Sequence, residues 1–191
     1  MEIKYRNQFP ELLEHLGLKG DAAEVGNAEG RNAQVLISSP VITKLYLIDT
    51  WQHLDQPGDG GHPASWHENN WKECHERVEP WKEKAVFLKG FSSDMIKQIP
   101  DDSLIFAYVD GDHSEVGCLS DLRGVYRKVK TGGVIAFHDF LNYSSNYGVN
   151  RAVHTLLRQY DYPADAVHLT EEDGDLMMVS GWFIKKVVKC S

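Results

Sequence analysis

The polar and apolar positions of this chain follow two rhythms in turn. Short runs that are apolar almost throughout recur at residues 21–25, 44–49, 84–90, 103–110 and 134–139. Between them, apolar residues return three and four positions apart. The first pattern reads as strands buried on both faces, the second as helices with one apolar side. A helix over 8–18 carries Phe9, Leu12, Leu13 and Leu16 on one side, stops at Gly17, and is expected to cover an edge or mouth of the fold. Later helices carry Ala33, Leu36 and Ile37, then Val116, Leu119, Leu122, Val125 and Val129, then Val149, Val153, Leu156, Leu157 and Tyr160. Five strands alternating with helices predict a parallel sheet with right-handed crossovers. Residues 166–170, an acidic turn at 171–175, and runs at 176–179 and 182–187 predict a closing hairpin at the sheet edge. The pattern leaves open which of these pieces pair.

The stretch 21–37 organises the rest: a strand, a tight turn through Gly26 and Gly30, then a helix. Glycine lacks a Cβ, so the backbone can turn sharply there and let a ligand come close. The helix N-terminus aims its N–H groups at whatever the turn holds. Ala28 stands where a dinucleotide fingerprint has its middle glycine, which disfavours NAD and FAD. Taken alone, the turn equally suits plain packing of helix on strand.

Four of the apolar runs end in an acid: Glu24, Asp49, Asp110 and Asp139. Packing does not ask for a layer of carboxylates at the ends of buried strands, because each needs a partner or a ligand. The carboxyl edge of an open α/β sheet is where ligands bind. Asp49 follows the glycine turn by roughly twenty residues, where a carboxylate can take both hydroxyls of a ribose; a turn-capping Asp is the alternative. The cluster Asp110-Gly-Asp112-His113-Ser114 and the pair His138-Asp139 add polar groups to the same rim. Ser92 or Ser93 is expected to cap a short helix, with Phe91 beside them on the rim.

Residues 51–83 break the rhythm, being rich in Gly, Pro, His and Trp. So long a connection is expected to be a binding loop or lid. Within it Asn69 or Asn70 can cap a helix carrying Trp71, Cys74, Val78 and Trp81, and Trp51, Trp66 and Trp71 either touch substrate or pack the lid down. His53, His62, His67 and His75 have no compact metal-ligand spacing.

Composition narrows the class. The 191 residues suit a single domain, and 42% hydrophobic with 25% charged residues are values of an ordinary globule. The net charge of −8 argues against a broad nucleic-acid surface. Cys74, Cys118 and Cys190 form no Cys-x-x-Cys pair, which suits a reducing compartment. No stretch is long and apolar enough to span a bilayer and none reads as a signal peptide, so a cytoplasmic protein without a membrane partner is expected.

The order of elements, with Glu24-Val-Gly-Asn-Ala-Glu-Gly30, Leu47-Ile-Asp49, Tyr108-Val-Asp-Gly-Asp-His-Ser114 and Gly132-Gly-Val-Ile-Ala-Phe-His-Asp139, resembles the class I S-adenosylmethionine-dependent methyltransferases over about residues 20–188. The two last motifs resemble most the small-molecule O-methyltransferase branch termed methyltransferase family 24. The resemblance implies a Rossmann-like, doubly wound α/β fold: a mostly parallel seven-stranded sheet with an antiparallel C-terminal hairpin. It implies one domain over 1–191 with the 51–83 segment as a substrate-binding insertion. Glu24, Gly26 and Gly30 would hold the methionine part of S-adenosylmethionine and Asp49 the ribose hydroxyls. Ser92 or Ser93 with Phe91 would frame the adenine, and Asp110 would lie beside the sulfonium, with Asn27, Trp51 and Asp112 also expected to bind the cofactor. By the same resemblance His113 is the expected base and His138 its competitor, with a His that caps the next helix as the plain alternative. Asp110, His138 and Asp139 would hold a divalent metal, magnesium or manganese, where one is used. The acceptor would be a hydroxyl on a small molecule, with no nucleic acid involved and some acceptor-binding surface supplied by a second copy in a homo-oligomer. An NAD-dependent oxidoreductase and a non-catalytic nucleoside-binding module are the alternatives.

Overall fold

The computed structural model describes residues 1–55, 61–144, 147–163 and 165–187. Strands β1 (Gly20–Val25), β2 (Ile42–Asp49), β3 (Ala85–Lys89), β4 (Leu104–Val109), β5 (Val129–Phe137), β6 (His168–Leu169) and β7 (Gly181–Ile184) form one sheet in the order β3-β2-β1-β4-β5-β7-β6. The pairs among β1 to β5 are parallel, and β7 runs antiparallel to both β5 and β6. The expected fold class is therefore the observed one. The closing hairpin pairs His168 with Trp182 and Leu169 with Gly181. Residues Leu176–Met178, expected to extend it, instead form a 3-10 turn.

The pleat sorts the strands into two cores. Ala23, Val25, Ala107, Val109, Ile135 and Phe137 face helices α5 (Glu115–Lys128) and α6 (Val149–Gln159). Their alternates Ala22, Phe106, Tyr108, Val134 and Ala136 face α1 (Phe9–His15), α2 (Arg31–Ser38) and α3 (Ala64–Val78). Period-two alternation on strands covered by helices on both sides explains why the runs looked apolar throughout.

Helix α1 buries Phe9, Leu12 and Leu13, leaves Leu16 outside, and ends at Gly17 with φ +66°. In α5 the buried face is Cys118, Asp121, Leu122, Val125 and Tyr126, whereas Val116 is 81% exposed and Val129 already belongs to β5. The expected stripe was thus rotated, because a buried acid occupies a core-facing position.

Helix α3, which the sequence placed inside a lid, is the crossover helix between β2 and β3. It buries His67, Asn70, Cys74 and Val78. Trp51 is buried, and its ring lies edge-on to Trp71 at 4.7 Å and tilted against Phe87 at 5.9 Å. Trp66 stacks on His62. Residues 56–60 of the expected lid, and Cys190, lie outside the described residues. Cys74 and Cys118 are buried free thiols. No helix among the described residues is long and apolar enough to cross a membrane.

Candidate active site

The carboxyl ends of the adjacent strands β2, β1, β4 and β5 are stitched together by backbone hydrogen bonds. Gly26 N–H donates to Ile48 C=O, Asp110 N–H to Val25 C=O and His138 N–H to Val109 C=O. These bonds bring Glu24, Asp49, Asp110 and Asp139, far apart in sequence, onto one rim.

The glycine turn is left-handed at three places: Gly26 (φ +83°), Ala28 (φ +42°) and Gly30 (φ +80°). The sequence reading reserved the space at the glycines for a ligand, yet protein fills it. A Cβ on Gly26 would lie 2.0 Å from the Asp110 carbonyl oxygen, and one on Gly30 2.7 Å from Cys74 Sγ. Gly26 is needed so that β4 can come close, and Gly30 so that α3 can.

Asp49 holds the turn from the side. Its Oδ2 accepts from the Asn27 and Ala28 N–H groups at 2.9 and 3.0 Å, and its Oδ1 from Trp51 N–H at 2.8 Å. The Trp51 indole N–H in turn donates to Ala28 C=O at 2.8 Å.

Glu24 lies beneath the turn, buried. Asn27 Nδ2 donates to its Oε2 at 2.6 Å and Asn32 Nδ2 to its Oε1 at 2.8 Å. Burial pushes the carboxyl up to about 8, against the two amide hydrogen bonds and with Asp110 adding repulsion. Glu24 therefore holds a proton at neutral pH. Asn32 was missed by sequence reasoning, although it is the second residue of α2, in the turn nearest the strand end. Asn27 Oδ1 is buried without a donor among the described residues.

The serines do not cap. Phe91 is the N-cap of the short helix α4 (Ser92–Met95) and no side chain caps it. Ser92 Oγ instead donates to Asp121 Oδ1 at 2.5 Å. Burial raises the Asp121 carboxyl to about 6, opposed by that hydrogen bond. Ser93 is exposed, and Phe91 is 54% exposed. Asp112 is also exposed; its Oδ1 accepts from Ser114 N–H at 2.8 Å, next to the N-cap bond from Gly117 N–H to Ser114 Oγ at 3.1 Å. Ser114 thus caps α5, leaving His113 free to turn inward.

Where β4 and β5 end, Asp110, His113, His138 and Asp139 converge, with one ligand atom of each within 4.8 Å of all the others. His113 Nε2 lies 3.1 Å from Asp110 Oδ1 and 3.0 Å from Asp139 Oδ2. His138 Nδ1 lies 3.4 Å from Asp110 Oδ1 and 3.2 Å from Asp139 Oδ2. Asp139 takes a left-handed φ of +53°, uncommon outside glycine, which points its carboxylate back into the cluster. Burial alone would lower His113, but its hydrogen bonds to the two carboxylates raise it to about 10. Burial would raise Asp139, and the two imidazoles instead hold it far below the usual carboxylate range. Tyr147 stacks on the His113 ring at 4.9 Å.

A further polar group reaches this cluster from the other end of the chain. Arg6, in the 3-10 turn Arg6–Gln8, sets its NH1 2.8 Å from His138 Nε2. No local pattern signals this contact, since the two residues are 132 positions apart.

A mostly parallel sheet with this strand order, an antiparallel last pair and an acidic rim across β2, β1 and β4 defines a class I methyltransferase architecture. The chain matches the model of the methyltransferase domain of family 24 over residues 23–140, and it belongs to that family of S-adenosylmethionine-dependent methyltransferases. No curated protein matches it. Its fold is similar to that of the O-methyltransferase NovP, at 19% identity over 95% of this chain and 78% of that one, TM-score 0.68. It is similar too to an O-methyltransferase from Bacillus cereus solved in complex with SAH, at 11% identity over 94% and 80%, TM-score 0.67. The calicheamicin methyltransferase CalS11 matches at 14% identity over 93% and 77%, TM-score 0.64.

Proposed function

We propose that this methyltransferase acts on a hydroxyl of a small molecule, which approaches over the cluster Asp110, His113, His138 and Asp139. The observation that carries this reading is the cluster itself: two carboxylates and two imidazoles within 4.8 Å, at the strand ends next to the Glu24–Asp49 rim. An alcohol or phenol is a poor nucleophile until its proton is removed, and a set of proton-holding groups suits that task.

S-adenosylmethionine supplies a methyl group on a sulfonium, an electrophile that needs only in-line approach in a dry site. The residues of the rim fit this molecule. Asn27 Oδ1, a buried acceptor with no donor, suits the ammonium of the methionine end, alongside Glu24 and Gly30. Asp49 faces the ribose side, with Trp51 bracing it from behind. Phe91 offers an exposed ring to the adenine, next to Ser92 and Ser93. Asp110 and Asp112 border the sulfonium end. A second copy of the chain is a further source of acceptor-binding surface.

His113 keeps its proton at neutral pH while both carboxylates hold it, so it acts as a base only after one of them is otherwise engaged. Two carboxylate oxygens and imidazole nitrogens also form a donor set for a divalent cation, manganese being better matched than magnesium to a mixed nitrogen and oxygen set. Asp110, His113 and Asp139 would hold such an ion, which would acidify a hydroxyl beside it. His138 fits less well, for the reason developed below.

Incubation with methyl-deuterated S-adenosylmethionine and a panel of phenols, alcohols and amines, with EDTA or with manganese, tests the reading by mass spectrometry. Label on hydroxyl oxygen supports it, and label on amines alone overturns it.

A further inference from the structure

Arg6 reads the protonation pattern of His138. A guanidinium has only N–H donors, so the nitrogen 2.8 Å from Arg6 NH1 must present a lone pair. His138 Nε2 is therefore unprotonated and its ring proton sits on Nδ1. That side faces acceptors only, Asp139 Oδ2 at 3.2 Å and Asp110 Oδ1 at 3.4 Å. A donor on one nitrogen and carboxylates at the other assign the same tautomer independently.

This tautomer is the wrong one for a ligand. An imidazole that coordinates a metal gives its outer N–H to a carboxylate, a carbonyl or water, which leaves the inner nitrogen bare. Here the outer partner is a cation that can only donate. Coordination through Nδ1 would move the ring proton to Nε2 and aim it at Arg6.

The contact is not a stray side chain. The Arg6 N–H donates to Glu172 Oε1 at 2.7 Å, and Glu171 and Glu172 N–H groups donate to Lys4 C=O at 2.8 and 3.0 Å. Tyr5 Oη donates to Asp173 Oδ1 at 2.5 Å. The segment ahead of α1 is thus strapped to the acidic turn after β6, with Arg6 pointing from the strap into the cluster.

We propose that Arg6 is a positioning residue that locks His138 in its Nδ1–H tautomer, so that the docked N-terminal strap keeps this imidazole from coordinating a divalent cation. The proposal rests on the cluster being able to take a cation. It makes cation binding by all four residues compete with docking of the strap.

The test uses the full chain, uniformly 15N-labelled, with the His138 signals assigned by their loss in His138→Gln. Long-range proton–nitrogen spectra are expected to show a protonated Nδ1 and a bare Nε2. Arg6→Lys, whose ammonium also only donates, should keep that pattern. Arg6→Met leaves the two carboxylates at Nδ1, so the proton should stay there without metal. Nothing then opposes its transfer to Nε2 when a cation takes the Nδ1 side. Calorimetric titration of the same proteins with manganese should then give binding about tenfold or more tighter for Arg6→Met than for wild type or Arg6→Lys, as loss of a charged hydrogen bond implies. A protonated Nε2 in the wild type would overturn the proposal. So would an Arg6→Met protein that binds manganese no better than wild type. The tautomer reading needs neither metal nor acceptor, so failure of the hydroxyl-methylation reading leaves it standing.

Discussion

Glu24 shows how a single side chain can set the pH behaviour of the fold. Its carboxyl moves from an ordinary 4.5 to about 8 because the strand end is buried. Between those values the folded chain binds a proton that the unfolded chain has released, so this residue's contribution to stability falls as pH rises from about 4.5 to 8. Asp121, raised to about 6, and His113, raised to about 10, slope the same way over their own windows. Glu24→Gln is therefore expected to make the decline shallower without abolishing it, with the variant gaining roughly 3 kcal/mol on wild type between pH 5 and pH 8. Melting curves at several pH values check this, and equal slopes would mean that Glu24 is ionised throughout. Gly26 sets a steric limit at the same place. Gly26→Ala would set a Cβ 2.0 Å from a backbone carbonyl that cannot swing aside, at a φ of +83°. The expected loss is about 3 kcal/mol or more by urea denaturation, with binding of S-adenosylhomocysteine lost as β4 is pushed from the turn.

Among the elements, α3 separates what patterns reveal from what they hide. The strands and most helices were legible because a strand covered on both faces, or a helix with one apolar face, leaves its period in the sequence. Helix α3 buries His67 and Asn70 in place of aliphatic residues, and its large aromatics pack around Trp51 and Phe87. Residue type alone could not tell packing aromatics from substrate-binding ones. The distinction is measurable. Trp51→Ala removes a buried ring and the hydrogen bond to Ala28 C=O, and should cost about 3 kcal/mol or more. Trp66→Ala, at a half-buried ring stacked on His62, should cost under about 1 kcal/mol. Comparable small losses for both would return Trp51 to the binding loop and refute its role as the brace of the turn.

At the scale of the molecule, the acidic rim was legible because each acid ends an apolar run, but its internal wiring was not. Ser92 with Asp121, Asn32 with Glu24 and above all Arg6 with His138 are joined only by the fold, across separations that no local pattern encodes. The rim spans β2, β1 and β4 at the centre of the sheet, so a ligand bound there ties together strands that carry both cores. S-adenosylhomocysteine should therefore stabilise the whole fold, not one loop. At a hundredfold excess over its dissociation constant the expected gain is about 2.7 kcal/mol, read as one shifted transition by both fluorescence and circular dichroism. NAD at equal concentration should shift nothing, since Ala28 replaces the glycine a pyrophosphate needs. Asp49→Asn should lose part of the gain. Its carboxylate holds three backbone N–H groups of the turn, and an amide has one oxygen for them. If Asp49→Asn kept the full shift, the ribose side of the ligand would have to be held elsewhere on the rim. A shift seen by fluorescence alone would confine the ligand to the tryptophans around the turn and deny it the bridging position across the sheet.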